Sequence, residues 1–415
     1  MSAINAASLP AVTDPNYEFD YLEISNVDNH GIVDPEAIER LRYEDAPSRA
    51  RRRVVKNCTV ISSVRPNLQA VAFVNNERKD FICSTGFNVV QPAEQRLSPK
   101  FAYYALMSEG ARQYFEATAK GVGYPAVDDK DFGSFLMPLP PPLEQQRIAA
   151  YLDASCAAID AAAAAKRSQL ETLDKLRNSI ISRAVTQGLN PQAKMKTFVL
   201  DWLSEVPAHW QVQQIKRVCS LVRGQFTHRP RNDPAFYDGP YPFVQTGDIT
   251  AAGKYIRTYS QTLNELGLSV SKRFPRGTLV MSIAANIGDV AILDFEACFP
   301  DSMIGMIPGH KTNLDFLYYL MRAMRGIMLR SAVQSTQLNL NYVRIGTNFA
   351  PFPPLKEQSA IAEYLDAKER ESHLISNTIE TQIATLTAYR KSLIHECVTG
   401  QRRITENDTS NLMLT

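Results

Sequence analysis

Apolar residues recur along two stretches of the chain at the spacing of a helix seam. In the first, Ile148, Leu152, Cys156, Ile159, Ala163, Leu170, Leu173, Ile180 and Ala184 follow at three- and four-residue steps or their sum. In the second, Ile361, Leu365, Ile379, Ile383, Leu386, Leu393 and Cys397 do the same, apart from a step of two heptads between Leu365 and Ile379. A period near 3.5 is a coiled-coil seam. No Gly or Pro interrupts 143–187 or 355–399. Prolines stand just before each run, where a missing N–H does no harm. Glu144 and Glu357 fall in the first turns, favourably to the macrodipole. Gly188, followed by Pro191, is a stop. The Ala157–Ala165 run is strongly helix-forming and would let another backbone approach closely. The pattern predicts two helices of about 44 residues, each about 66 Å long.

The two helices belong to an internal repeat. Residues 138–187 align without a gap on 351–400, with 19 identities at an offset of 213. Among them are Glu144/Glu357, Gln145/Gln358, Tyr151/Tyr364, Leu173/Leu386 and Arg177/Arg390. Upstream the repeat continues with drifting offsets: Thr59 with Thr278, Phe101 with Phe316, Tyr21 with Phe243. Runs rich in β-branched residues predict strands at 58–64, 70–74, 277–283 and 289–293, and short helices are expected at 98–119 and 313–333. The fold class is therefore α+β. Two related α/β heads are each followed by a hinge and a long helix. The two helices are expected to pair as an antiparallel coiled coil with internal pseudo-two-fold symmetry, since a single seam has nowhere else to bury its apolar face. The alternative is two separate helices, each packed on its own head. The expected divisions are a first head at 1–137, hinge and helix at 138–188, a second head at 189–350, hinge and helix at 351–403, and a frayed tail at 404–415.

Composition is that of a globular protein: 45% hydrophobic and 21% charged residues among 415, with a net charge of +2. That balance excludes a polycation but not a local basic patch. The six cysteines are widely spaced, with no CxxC, and the six histidines never pair at metal spacing. No metal site is signalled. The N-terminus lacks the charge and apolar run of a signal peptide, and no membrane span is expected. A cytoplasmic protein is expected.

Catalytic signatures are missing. There is no phosphate loop, no nucleophile elbow, and no Asn/Asp-Pro-Pro-aromatic motif for gripping a flipped base. Gly121-Val-Gly123 has no following helix signal and is no dinucleotide fingerprint. Glu77-Arg78-Lys79 fits half of a nuclease pair but lacks its upstream acid, and a solvated turn accounts for it better. What remains is polar and basic loops. Arg223-Gly-Gln-Phe-Thr-His-Arg-Pro-Arg-Asn232 mixes residues that read base edges with an aromatic and a Gly allowing close approach. Arg223, Gln225, Thr227, His228, Arg229 and Asn232 are the first candidates for DNA binding, with Thr246 and Asn286 behind them. In the first head the candidates are Arg65, Asn67, Gln69 and the cluster Arg51, Arg52, Arg53.

The doubled box Pro-Pro-Leu-x-Glu-Gln-x-x-Ile-Ala-x-Tyr-Leu-Asp resembles that of the specificity (DNA-recognition) subunits of type I restriction-modification systems. So do Trp202-Leu-Ser-Glu-Val-Pro-Ala-His-Trp210 and the Arg223 loop. The likeness covers about residues 17–403. It implies that each head is a target recognition domain and that the helices are a spacer between two half-sites. It implies double-stranded DNA as ligand and two methyltransferase subunits plus restriction subunits as partners. The chain itself would be non-catalytic and bind no cofactor. S-adenosylmethionine, ATP and Mg would belong to partner subunits, and the assembled complex would methylate adenine N6 and cut DNA with ATP. The hinge residues Pro141, Pro142, Leu143, Glu144, Gln145, Pro354, Leu355, Glu357 and Gln358 would orient the heads and contact the methyltransferase subunit. A coiled-coil scaffold with protein-binding heads is the alternative function.

One departure stands out. At an offset of 222, Trp210–Pro240 has almost no counterpart in the first head, which is expected to lack a strand and a reading loop, through truncation or a start lying upstream.

Overall fold

The computed structural model describes residues 3–10, 13–28, 31–75, 80–93, 96–200, 202–284, 286–331 and 342–408. Both long helices are present, Pro142–Gln187 and Leu355–Thr399. The chain forms two compact units that cut across the sequence repeat. One is built from 1–168 and 379–415, the other from 169–378. Each unit therefore holds one head and a piece of both long helices.

In the first unit, Ile148, Leu152 and Cys156 share a core with Leu393, Ile394 and Cys397, so the helix pieces run antiparallel. In the second, Ile181, Ala184 and Val185 meet Ile361 and Leu365 in the same sense. The same cores contain the head helices Pro99–Met107 and Leu314–Ala323. The two expected alternatives, pairing with each other and packing on a head, are thus satisfied together. Every seam position read from the sequence is buried or half-buried. Arg390 reaches across the pair to Asp160 at 3.1 Å, and Arg177 across its own to Glu369 at 3.9 Å. The alanine run behaves differently from expectation. Of Ala157–Ala165 only Ala163 is fully buried, so these alanines supply helix propensity rather than a close backbone approach.

The heads share one plan. In the first, a sheet runs Ala3–Ile4, Phe87–Gln91, Cys58–Ser62, Val71–Val74. In the second, it runs Cys219–Arg223, Met303–Pro308, Leu279–Ser282, Val290–Leu293, with Tyr255–Ile256 added at the edge. A further sheet in each head has the same order and the same strand senses. Glu18–Leu22 is antiparallel to Glu39–Arg42 and parallel to Phe81–Ser84. Tyr237–Phe243 is antiparallel to Gln261–Leu263 and parallel to Ala297–Cys298.

This corrects the expectation that the first head lacks a strand. Ala3–Ile4 pairs with Phe87–Gln91 as Cys219–Arg223 pairs with Met303–Pro308. The chain then leads through a loop in which Ser8 bridges Arg52, as Phe226 bridges Ser271. The strand is two residues long and stands at a smaller offset than 222, so a fixed-offset alignment passes over it.

Smaller corrections follow. The 98–119 helix breaks at Ser108, whose Oγ accepts from the Ala111 N–H at 3.3 Å and starts a new helix, Glu109–Thr118. The tail does not fray at once. Ile404 is buried in the first unit's core and Thr405 is held by Asp408. Pro142–Gln187 is, among the described residues, long and apolar enough by composition to cross a membrane. Its apolar character comes largely from alanines, and its large apolar residues Ile148, Leu152 and Ile181 are buried in the cores above. Glu77-Arg78-Lys79 and Ala285 lie outside the described residues.

Candidate nucleic-acid interface

The hinges fix how each head leaves its helix, and they do so identically. Gln145 is fully buried. Its Oε1 accepts from the Ser98 N–H at 2.8 Å, and its Nε2 donates to Arg96 O at 3.0 Å and Pro140 O at 2.8 Å. Gln358 repeats this with the Asn313 N–H, Lys311 O and Pro353 O at 2.8, 3.0 and 2.9 Å. Each amide thus clamps the start of a head helix to the hinge. Two turns on, Asp153 accepts from the Tyr104 hydroxyl at 2.7 Å, and Asp366 from Tyr319 at 2.6 Å. Burial and these carboxylates push both tyrosine pKa values up. Lysines join each site, Lys100 on Asp153 and Lys254 on Asp366.

The glutamates diverge. Glu357 accepts from Trp210 Nε1 at 3.1 Å and lies 2.8 Å from His209 Nε2. Trp210 is buried and passes over Gly188, where a Cβ would stand 3.0 Å from its ring. Glu144 has no such partner among the described residues. Pro141, Pro142, Leu143, Pro354 and Leu355 are exposed.

The second head's candidates gather at one loop. Gly224 and Gln225 donate backbone N–H groups to Met303 O at 2.9 Å and Phe299 O at 3.0 Å. A Cβ on Gly224 would lie 2.2 Å from Pro300 O, so only glycine permits this contact. The glycine expected to admit a ligand instead admits the protein's own turn. Phe226 likewise points inward, buried among Phe236, Tyr237 and Phe243. In extended backbone its neighbours then point out. Gln225 and Thr227 are exposed accordingly. His228 stacks on Phe236 at 3.9 Å and meets Asp233 at 3.1 Å. Arg229 Nη1 donates to Phe226 O and His228 O at 2.6 and 2.7 Å. Asn232 is exposed and has no partner among the described residues.

Thr246 and Asn286 form a separate pair. Thr246 opens the helix Thr246–Ala251, and its carbonyl accepts from Thr250 Oγ1 at 3.2 Å. Asn286 Nδ2 donates to that same hydroxyl at 2.9 Å. They lie beside a cleft of about 920 Å³ lined in part by Thr250, Asp289, Arg325, Lys254 and Arg177.

In the first head, Arg65 and Gln69 flank a turn holding Asn67, and both have left-handed backbone, φ 51° and 49°. Such strain gathers at ligand-facing loops. The Arg65 guanidinium lies over the Tyr124 ring at 4.5 Å. Tyr124 is 73% exposed, and Val122 beside it is fully exposed. Sequence reading passed over this apolar tip, because Gly121-Val-Gly123 was weighed only as a phosphate motif. The basic cluster divides. Arg51 lies over Tyr43 at 4.8 Å. Arg52 is turned inward, 14% exposed, donating to Asn88 Oδ1 at 2.7 Å and to Phe87 O. Arg53 bonds the Tyr17 hydroxyl. Arg52 is therefore a sheet-to-sheet tie and not a free surface cation. No metal-ligand cluster occurs among the described residues.

The model of the type I restriction modification DNA specificity domain matches residues 12–172 and again 207–385. A Methanocaldococcus jannaschii chain, provisionally named the type I restriction enzyme MjaX specificity subunit, is 23% identical over 345 residues, covering 80% of this chain and 75% of that one. The MjaVIII specificity subunit of the same organism is 22% identical, covering 73% and 70%. A chain from a structure concerned with complex assembly and conformational transition of the type I R-M system superposes with a TM-score of 0.74. It covers 97% of this chain and 98% of that one at 21% identity, which speaks to the fold.

Proposed function

Since the chain belongs to the type I restriction-modification DNA specificity family, a family of recognition rather than catalysis, we propose that it reads a two-part DNA target, one part with each head, and brings methyltransferase and restriction subunits to it. The observation that carries this reading is the pair of heads built on the same two sheets, each presenting a polar, arginine-bearing loop, after Cys219–Arg223 in the second head and after Cys58–Ser62 in the first. The second head reads through Arg223, Gln225, Thr227 and Asn232, supported by His228 and Arg229, with Thr246 and Asn286 alongside. The first reads through Arg65, Asn67 and Gln69, with Arg51 and Arg53 nearer the backbone. The long helices serve as the spacer. A 46-residue helix is about 69 Å long, roughly two turns of B-DNA.

The hinge has two jobs on this reading. Gln145 and Gln358 orient the heads, being spent wholly on internal bonds. The exposed Leu143 and Leu355 and the half-buried Glu144 face the methyltransferase subunit. S-adenosylmethionine, ATP and Mg stay with the partners.

Co-expression with the cognate methyltransferase subunit in a host free of adenine methylation, followed by mapping of N6-methyladenine, tests the proposal. An asymmetric bipartite motif is the expected result. A motif with one specified half, or no methylation, refutes it. Binding to cognate DNA should also fall steeply with salt, as phosphate neutralisation demands.

A further inference from the structure

Three arginines of the second head's loop meet at one acid that sequence reading did not single out. Asp301 stands in the turn between Ala297–Cys298 and Met303–Pro308. Its backbone carbonyl accepts from Arg223 Nε at 2.7 Å. Its Oδ2 accepts from Arg229 Nη2 at 3.4 Å, and its Oδ1 from Arg231 Nη2. The loop is fastened to the same turn by the Gln225–Phe299 and Gly224–Met303 backbone bonds, so Asp301 cannot drift from the arginines it holds.

The three arginines are left in different states. Arg229 is occupied, with Nη1 on two carbonyls and Nη2 on Asp301. Arg231 is in an ion pair, and its own carbonyl accepts from the Tyr237 hydroxyl. Arg223 is anchored only through Nε. Among the described residues its two terminal nitrogens have no partner. That is a fork held at its base with both tines free, the arrangement that suits two acceptors on one edge.

We propose that Asp301 is the positioning residue of this loop, aiming the Arg223 fork at a guanine edge in the second half-site. Guanine offers O6 and N7 side by side in the major groove, and a bidentate arginine is the commonest way of reading them. Asp301 contributes no contact to DNA. Its carboxylate cancels one of the three charges and braces Arg229 and Arg231 beneath the loop, and its backbone carbonyl, held in place by that bracing, fixes the direction of Arg223. A freely rotating arginine would instead settle on any phosphate and read nothing. This rests on the reading that the loop faces DNA.

The test is a methylome comparison in the assembled complex with the cognate methyltransferase subunit, using Arg223→Ala, Asp301→Ala and Asp301→Asn. The first half-site is the internal control, and thermal melting checks folding. Arg223→Ala should relax one guanine position of the second half, losing roughly 5- to 150-fold discrimination. Asp301→Ala should relax that same position and leave the first half unchanged. Both variants keep the backbone carbonyl; Asp301→Asn also keeps one side-chain acceptor for Arg229 or Arg231 and should keep most of the discrimination. Full discrimination in Asp301→Ala at the position that Arg223→Ala relaxes would overturn the inference. So would an even rise in methylation across all sequences, which would make Asp301 a counter-charge only. If Arg223→Ala relaxes no position, the reading of the loop as DNA-facing fails first, and the inference with it. If Asp301→Ala does not fold, Asp301→Ser, whose short hydroxyl cannot span to both arginines, takes its place, and full discrimination in it at the position that Arg223→Ala relaxes overturns the inference.

Discussion

Replacing Gln358 with Leu should loosen the second head from its hinge, by an amount the structure allows to be worked out. The amide makes three bonds inside the protein, and among the described residues none of its partners has another acceptor or donor at hand. Leucine is close in volume, so cavity terms are small. What remains is the loss of three buried bonds at about 1 kcal/mol each. The stranded Asn313 N–H adds a desolvation cost of about 1–3 kcal/mol, less whatever water recovers. A total of about 3–5 kcal/mol follows. In a unit of this size each kcal/mol lowers Tm by about 2–4 °C. Differential scanning calorimetry of the full chain should therefore show a drop on the order of 10 °C. Hydrogen exchange should place the lost protection in Leu314–Ala323, whose first turn the amide holds. Gln145→Leu should produce the matching loss in Pro99–Met107 and leave Leu314–Ala323 protected. A cost below about 0.5 kcal/mol for either variant, within the range of neutral surface changes, would refute the argument that these amides clamp the heads.

Gly224→Ala should be among the most damaging single-methyl additions in the molecule, because the new Cβ would stand 2.2 Å from Pro300 O. A specified first half-site with a lost second half in the methylome is the expected outcome. Tyr124→Ala removes an exposed ring and should leave Tm unchanged, while weakening recognition of the first half-site, as read by the same mapping. The thiols should be inert to a thiol reagent at pH 8. Burial raises Cys58, Cys156 and Cys397 to about 11 and Cys219 to about 12, against an ordinary value near 9. Because these folded-state values lie above the unfolded ones, the stability they contribute is complete below pH 9. It is lost as pH rises toward 11–12, which denaturant titrations at stepped pH would show.

The long helices were legible because three independent signals agree: an uninterrupted seam, prolines before it and glycine after it. The Leu355–Thr399 limits coincide with the expected ones. The head strands were legible where β-branched runs are continuous, as at Cys58–Ser62 and Leu279–Ser282. Ala3–Ile4 was not, since two residues carry no period and loop drift removes the alignment that could have found them. Within the candidate loop, residue types did not show which side chains face outward and which are spent on internal contacts. Gly224 and Phe226 look outward-facing until the loop is seen to be extended and pinned to the 299–303 turn. Arg52 could not be told from Arg51 and Arg53 without knowing which side of the strand faces Asn88. Asp301, about seventy residues from the arginines it gathers, carries no local mark at all. The clamp glutamines stood inside the repeated box, yet glutamine is a surface residue by habit, and only the closed geometry reveals why it is buried here.

The way the units divide bears on the order in which the molecule can be made. The second unit is complete once residue 378 has left the ribosome. The first unit opens at residues 1–168, yet its core needs Leu393, Ile394, Cys397, Val398 and Ile404, which follow the second unit along the chain. During translation the first head therefore waits, with Ile148, Leu152 and Cys156 uncovered, while its younger neighbour finishes. The unit that is begun before the other is thus closed after it. Between the emergence of residue 378 and that of residue 393 from the ribosome, one unit is finished and one apolar seam is exposed, which makes this interval the one in which chaperones have most to cover.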